Sequence, residues 1–362
     1  MKLKQTSLFF WCLVTSVVLN AQDSKPFVIK GHSNDVDAIS YSQQGFIATG
    51  SFDQKINIYK ADSPYQLVKT LGGHMGPVNV VAFNKNGKWL ATGGEDRTIF
   101  LWDSTLKVGK KLEAHKDKIN CLAFDFYGKY LYSGSDDKSL IVWEVATGKQ
   151  VKSIANTQAI NAIAPTADLK FLYIASAEPK IKLMNMMSGQ VAKTLDGHTD
   201  AVNDIAISKN GKWLVSGSND KTARVWDLST GKQIRILPVD CWKVTTVSFS
   251  DNDKYIVTGC NDGSVKVWET ESGKLIKSFV LENAITRNVI FNKDATQVFA
   301  TYMLREGDDY GVRVWATGIK PVTVIQEVKA SNTIPSDTLN KKVPKNNLPT
   351  NNMNQPVVKP KK

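Results

Sequence analysis

The chain has 362 residues, 42% of them apolar and 22% charged, which fits a globular core and excludes a wholly disordered polymer. Its formal net charge is +12, but losing Lys2 and Lys4 leaves +10, and the last stretch of the chain holds +5 of that. The middle is only mildly basic, so nucleic acid is not expected as a partner.

Residues 1–21 read as a secretory signal peptide. Lys2 and Lys4 give a basic start, Leu8 to Leu19 an apolar run, and Ala21 a small residue before the cut. The run falls short of the roughly 20 residues that span a bilayer. No transmembrane segment is therefore expected after cleavage, and the mature protein is expected in the periplasm or outside the cell.

Between residues 22 and 328 the dominant feature is a repeat. Alignment on Tyr59, Trp102, Trp143, Met184, Trp226, Trp268 and Trp315 gives seven copies spaced 41 to 47 residues apart. That period suits one four-stranded propeller blade. The clearest copies start at Gly73 (GHMGPVNVVAFNKNGKWLATGGEDRTIFLWD) and Gly197 (GHTDAVNDIAISKNGKWLVSGSNDKTARVWD), with a third at Ala114. Period-2 alternation marks the strands. Asn86-Gly87 and Asn210-Gly211 mark tight hairpins, and a fourth run leads into the next copy.

Period, Gly-His, Asp and Trp-Asp recur together, and in this the chain resembles the WD40-repeat family over roughly residues 26 to 327. The resemblance implies an all-β fold, a seven-bladed WD40-type β-propeller with four-stranded antiparallel blades. With the leader it also implies an exported, bacterial member, since WD40 chains elsewhere are mostly intracellular. In that family a His, a Ser or Thr, an Asp and a Trp form a hydrogen-bonded tetrad within a blade. The matching sets are His74, Thr92, Asp96 and Trp102; His115, Ser133, Asp137 and Trp143; and His198, Ser216, Asp220 and Trp226. The first repeat keeps His32, Thr49 and Asp53, with Tyr59 replacing Trp. The sixth keeps Thr258, Asp262 and Trp268 but has Asp240 where His belongs. The fourth (Ile174, Glu178, Met184) and the seventh (Trp315) are degenerate and should lean on packing. Eight segments resemble an outer strand. Family analogy assigns PFVIK at Pro26 to the last blade, leaving PVTVIQ at Pro321 as an extra strand or a loose segment.

His32, His74, His115 and His198 are the four histidines, and all lie in the repeat's own motif. None remains for a general base, a triad or a metal site. The sequence has no phosphate loop, nucleophile elbow or paired zinc histidines. No catalytic residue, metal or cofactor is therefore expected. A propeller hydrolase or dehydrogenase using channel carboxylates is the enzyme alternative. Cys12 leaves with the leader, and Cys121 in INCLAF reads as a buried free thiol. Cys241 and Cys260 align with Thr199 and Ser218, on one rim of the blade that lost its His. They form either a disulfide that replaces the lost tether or two half-buried thiols.

By family analogy, partners dock on the face made by loops joining outer to inner strands, around the central channel. One position per repeat points at that mouth: Asp37, Asn79, Asn120, Asn161, Asn203, Thr245 and Arg287. The asparagines either satisfy strand-end backbone groups or form a polar cradle for a peptide, a loop or a glycan. Phe52, Glu95, Asp136, Trp242 and Asn261 would surround it, with Asp35, Pro77, Lys118 and Lys243. Phe52 and Trp242 are interface anchors if exposed and mere packing if tucked under a neighbouring loop. The expected function is a non-catalytic scaffold for protein partners in a cell-envelope or secreted assembly. A glycan- or peptide-binding module is the alternative, since propellers host many functions. Residues 329–362 read as a disordered basic tail rich in Lys, Pro and Asn. It is either plainly solvated or makes weak contact with an anionic envelope surface.

Overall fold

The computed structural model describes residues 25–321; the leader, most of PVTVIQ and the basic tail lie outside the described residues. Every regular element in that span is a β-strand, twenty-eight in all. They form seven antiparallel four-stranded sheets. Six are consecutive meanders, blades 1 to 6, at residues 36–71, 78–113, 119–155, 160–195, 202–237 and 244–280. Blade 7 joins Ala284–Phe291, Gln297–Leu304 and Gly311–Ala316 to Phe27–Lys30 from the other end of the chain. Val28 lies opposite Arg313 and Ile29 opposite Val312. The N-terminal strand thus completes the last blade, as family analogy implies. A ring closed this way cannot lose blade 7 without breaking strand pairing contributed by both ends.

Each inner strand packs on the next, and that of blade 7 packs on blade 1. The close approach requires glycine in the second strand. A Cβ built on Gly217 would sit 2.6 Å from Val244 Cγ1 of the following blade, and Gly50, Gly93, Gly134 and Gly259 repeat the situation. The gaps between sheets are filled by side chains such as Val215, Val225, Val244, Val247 and Trp268. Each contributes roughly 1.5–3 kcal/mol by leaving water.

The meander sorts the connections onto two faces. The outer-to-inner loops and second-to-third turns share one, here called the top, where the Glu95 amide donates to Pro77 O at 3.0 Å. The inner-to-second and third-to-outer turns share the bottom, where the Val145 amide donates to Lys129 O and the Met186 amide to Lys170 O. A row of basic side chains on the outer strands then links neighbouring blades. Lys69 Nζ donates to Leu106 O, Lys152 to Met186 O and Met187 O, and Lys193 to Thr230 O, all at 2.8 Å. These lysines act as cross-blade caps on turn carbonyls.

Candidate functional site

Three blades carry the full tetrad. In blade 5 the Trp226 indole N–H donates to Ser216 Oγ at 2.8 Å; Ser216 Oγ lies 2.7 Å from His198 Nε2, and His198 Nδ1 lies 2.7 Å from Asp220 Oδ2. An indole can only donate, so the hydroxyl gives its proton to Nε2, which makes His198 the neutral Nδ1–H tautomer. Blade 2 repeats the relay through Thr92, 2.9 Å from His74 and 3.0 Å from Trp102. Blade 3 does so through Ser133, 2.7 Å from His115 and 2.8 Å from Trp143. Asp96, Asp137 and Asp220 complete the relays and also accept the amides of Met75, Lys116 and Thr199. Burial lowers the pKa of His115 and His198, against a smaller pull from their aspartates. Burial alone would raise Asp96, Asp137 and Asp220, but the hydrogen bonds they accept outweigh it and lower all three.

The remaining blades solve the same problem differently. In blade 1 His32 keeps Thr49 at 2.8 Å and Asp53 at 2.9 Å, while Tyr59 turns its hydroxyl to Lys30 O. Blade 6 keeps the bond from the Trp268 indole to Thr258 at 3.0 Å. Its top loops are tied by a Cys241–Cys260 disulfide, with Cα atoms 6.3 Å apart. Blade 4 uses Lys182, whose Nζ lies 2.8 Å from both Glu178 and Thr157 and 3.0 Å from Asn156. Blade 7 relies on stacking of Trp315 on Phe279, with centroids 5.3 Å apart, and on the edge of Tyr302. The sequence marked blades 4 and 7 as degenerate; the lysine network of blade 4 was hidden because no family position predicts it.

The ring at the channel mouth has one cause in all seven blades. Each inner strand carries a β-bulge there: register skips from Val36 to Ala38, from Val78 to Val80, and likewise around Asn120, Asn161, Asn203, Thr245 and Arg287. A bulge leaves one residue unpaired and re-aims its side chain, here into the channel. The amides then clasp the next blade. Asn120 Nδ2 donates to Ile160 O at 3.0 Å, Asn161 to Val202 O at 2.9 Å and Asn203 to Val244 O at 2.7 Å. Asn79 makes a longer contact, 3.5 Å to Ile119 O. Thr245 Oγ1 continues the series to Thr286 O at 2.7 Å. The circuit closes with a bidentate ion pair, Arg287 Nε and Nη2 to Asp37 at 2.7 and 2.8 Å. Satisfying backbone carbonyls is therefore the ring's structural duty. Among the described residues, the Oδ1 atoms of the four asparagines have no protein partner and stand open to the channel.

The funnel below the mouth has a volume of about 510 Å³. Asp37, Phe52, Asn79, Glu95, Asn120, Asp136, Asn161, Asn203 and Thr245 all line it. Asp136 is held by Asn120 Nδ2 at 2.6 Å and by Lys118 at 3.4 Å. Asp204, which sequence reading did not single out, is a half-buried lining carboxylate. Burial lifts its pKa to about 6, against hydrogen bonds from the Val247 and Ile205 amides. Burial, and then Arg287, lower Lys243. Phe52 is half-buried on the funnel wall. Trp242 and Asn261 lie outside the funnel lining, on the rim of blade 6. Trp242 is 79% exposed, with Lys221 Nζ over its ring at 5.9 Å. Cys121 is a buried free thiol that burial pushes well above the ordinary range. Among the described residues no group of three or more His, Cys, Asp or Glu could hold a metal ion, and no helix is long and apolar enough to cross a membrane.

Seven four-stranded blades around a tetrad-pinned top face define a WD-repeat propeller. The family model for the WD domain, G-beta repeat, matches residues 24–60, 65–103, 106–144, 189–227 and 231–269, and the chain belongs to that family. The unmatched stretches hold most of blades 4 and 7, where the tetrad is lost. F-box-like/WD repeat-containing protein TBL1X of Mus musculus is 34% identical over 71 residues, 19% of this chain and 13% of that protein. Probable cytosolic iron-sulfur protein assembly protein 1 of Malassezia globosa is 31% identical over 98 residues, 24% of this chain and 27% of that protein. Protein HIR1 of Mycosarcoma maydis is 29% identical over 86 residues, 23% of this chain and 8% of that protein. The chain thus spans about a quarter or less of the length of these relatives, and the likeness is that of shared repeats.

Proposed function

We propose that the protein is a non-catalytic scaffold whose top face docks protein partners around the channel mouth, as a subunit of a cell-envelope or secreted assembly. The observation that carries the reading is Trp242, a large aromatic left 79% exposed on a loop that a disulfide holds rigid. A preordered, exposed indole beside a polar funnel has the character of an interface anchor. The leader-like start of the chain and the Cys241–Cys260 bond both suit an oxidising compartment. The four histidines are each held by an Asp and a Ser or Thr, and Asp37 and Asp136 have basic partners. This weighs against a histidine- or paired-carboxylate-based reaction in the funnel and leaves Asp204 as its one lining carboxylate with a raised pKa. A second reading, a peptide- or glycan-binding module, is favoured by the open asparagine Oδ1 atoms, which suit neutral hydrogen-bond donors.

Amine-reactive crosslinking of the full-length protein in its native envelope, followed by mass spectrometry, tests the scaffold. The expected result is a stoichiometric protein partner joined through Lys116, Lys138 or Lys221 on the top face and weakened at least tenfold by W242A. Recovery of the propeller alone would overturn it and favour the small-ligand reading.

A further inference from the structure

The bottom face differs from the top in chemistry. In blades 2 to 4 its turns carry Lys85, Lys88, Lys129, Lys149 and Lys170, all exposed and none in an ion pair among the described residues. The carboxylates of the same turns are folded back on their own loops. Asp103 accepts Thr105 and the Lys107 amide, Asp125 the Lys129 amide, Glu144 the Thr147 hydroxyl, and Asp168 Thr166 and the Lys170 amide. These carboxylates stay ionised, and with Lys107 the six lysines outnumber the four carboxylates of the same turns by two.

Apolar side chains stand among these lysines. Phe126 and Tyr127 occupy the tip of the blade 3 hairpin, 46% and 67% exposed, with Lys85 Nζ over the Phe126 ring at 3.5 Å. Met187 occupies the tip of a blade 4 turn and is 92% exposed. Between the two blades opens an apolar cleft of about 350 Å³, floored by Tyr130, Tyr132 and Phe171 and edged by Val151, Met187 and Lys170. Exposed apolar tips beside an apolar cleft mark an interaction surface. The net positive charge of the turns around them favours an anionic partner.

From this we infer that the bottom face of blades 2 to 4 is a docking surface for an anionic phospholipid bilayer. The lysines follow the blade repeat and are spread over the turns of three blades. Such charge suits laterally mobile headgroups better than fixed carboxylates. The apolar groups sit at the tips of separate hairpins, where they reach the acyl boundary while the lysine heads stay among phosphates. Each lysine close to an anionic surface strengthens binding about fivefold. The inference does not depend on the top-face reading, since none of these residues lies near the channel mouth.

The test is co-sedimentation of the full-length chain with phosphatidylcholine vesicles, with and without one-third phosphatidylglycerol. Binding is expected only to the anionic vesicles and should weaken with salt. Reversing three bottom charges (K85E/K129E/K170E) should weaken it at least fifty-fold, and F126S/Y127S/M187S about tenfold. The top-face control K116E/K138E/K221E should stay within twofold of wild type. All substituted side chains are exposed, and an unchanged melting temperature will show that each variant folds. The inference is overturned if anionic vesicles do not bind, or if the bottom triple leaves binding intact so that the basic tail carries it. It is equally overturned if the top triple is as damaging, or if the same lysines retain polyglutamate or duplex DNA but not vesicles.

Discussion

Replacing Ser216 with Ala removes one hydroxyl and leaves two groups without a partner. The Trp226 N–H loses its acceptor at 2.8 Å, and His198 Nε2 loses its donor at 2.7 Å. Both sit where water cannot replace the hydroxyl, since Ser216 and Trp226 are almost wholly buried. Leaving a buried polar group unpaired costs about 1–3 kcal/mol, so S216A should lose about 2–4 kcal/mol. Blade 6 supplies the internal control. Thr258 accepts the Trp268 indole but has no histidine to serve, so T258V, which keeps the side-chain volume, should lose only about 1–2 kcal/mol. In a domain of this size each kcal/mol moves the melting temperature by about 2 °C. The two variants should therefore melt about 4–8 and 2–4 °C below wild type. Urea unfolding followed by tryptophan fluorescence, with the slope held in common, is the assay. If S216A proves no more destabilising than T258V, the hydroxyl is not a relay and the tetrad account fails.

Acid should weaken the fold in two stages. His115 and His198 have lowered pKa values, so their contribution is complete above the unfolded value near 6.5 and is lost as pH falls through the folded values. Asp53, held to about 2, and Asp96, Asp137 and Asp220, also lowered, add a second loss below about pH 4. Asp204 opposes the first stage, because its raised pKa near 6 favours the folded state below that pH. Urea midpoints across pH 3 to 8 check the shape, and a midpoint that rises on acidification from pH 6.5 to 5 in a D204N variant, where the opposing carboxylate is gone, would contradict the histidine assignment. The disulfide closes a loop of sequence separation 19, and C241A/C260A should cost about 3 kcal/mol, measured by non-reducing thermal melts; an unchanged melt would remove its role as the blade 6 tether. R287M leaves the buried Asp37 carboxylate unpaired and should cost about 2 kcal/mol. Hydrogen exchange should show the opening confined to the blade 7–blade 1 seam. Leu169 sits at a hairpin position with φ of 61°, so L169G should stabilise by up to about 1 kcal/mol in the same urea assay.

Blade number, strand order and the three full tetrads were legible in the sequence because each is a local pattern repeated at one period. Closure was not legible from the residues themselves, since PFVIK and PVTVIQ both resemble an outer strand. Only family analogy favoured the first, which the pairing of Phe27–Lys30 with blade 7 bears out. What the channel column does was less legible. Asn120, Asn161 and Asn203 aligned correctly, yet their bonds depend on a bulge and on a carbonyl in the next blade, neither of which a single repeat encodes. The Asp37–Arg287 pair joins residues 250 positions apart, and the column showed only that two members were charged. Lys152 and Lys193 were not singled out, because the turn carbonyls they cap belong to another blade. Phe52 and Trp242 were equivalent on paper. Packing half-buries the first against the funnel wall and leaves the second free.

The most direct test of the central claim places a photo-crosslinking amino acid at position 242 of the full-length chain in its native cells, with position 153 on an outer strand as control. The account predicts one discrete, light-dependent protein adduct at 242 and none at 153. Adducts of equal yield at both positions, or none at 242 with folded protein recovered, would contradict a docking face on the top of the ring.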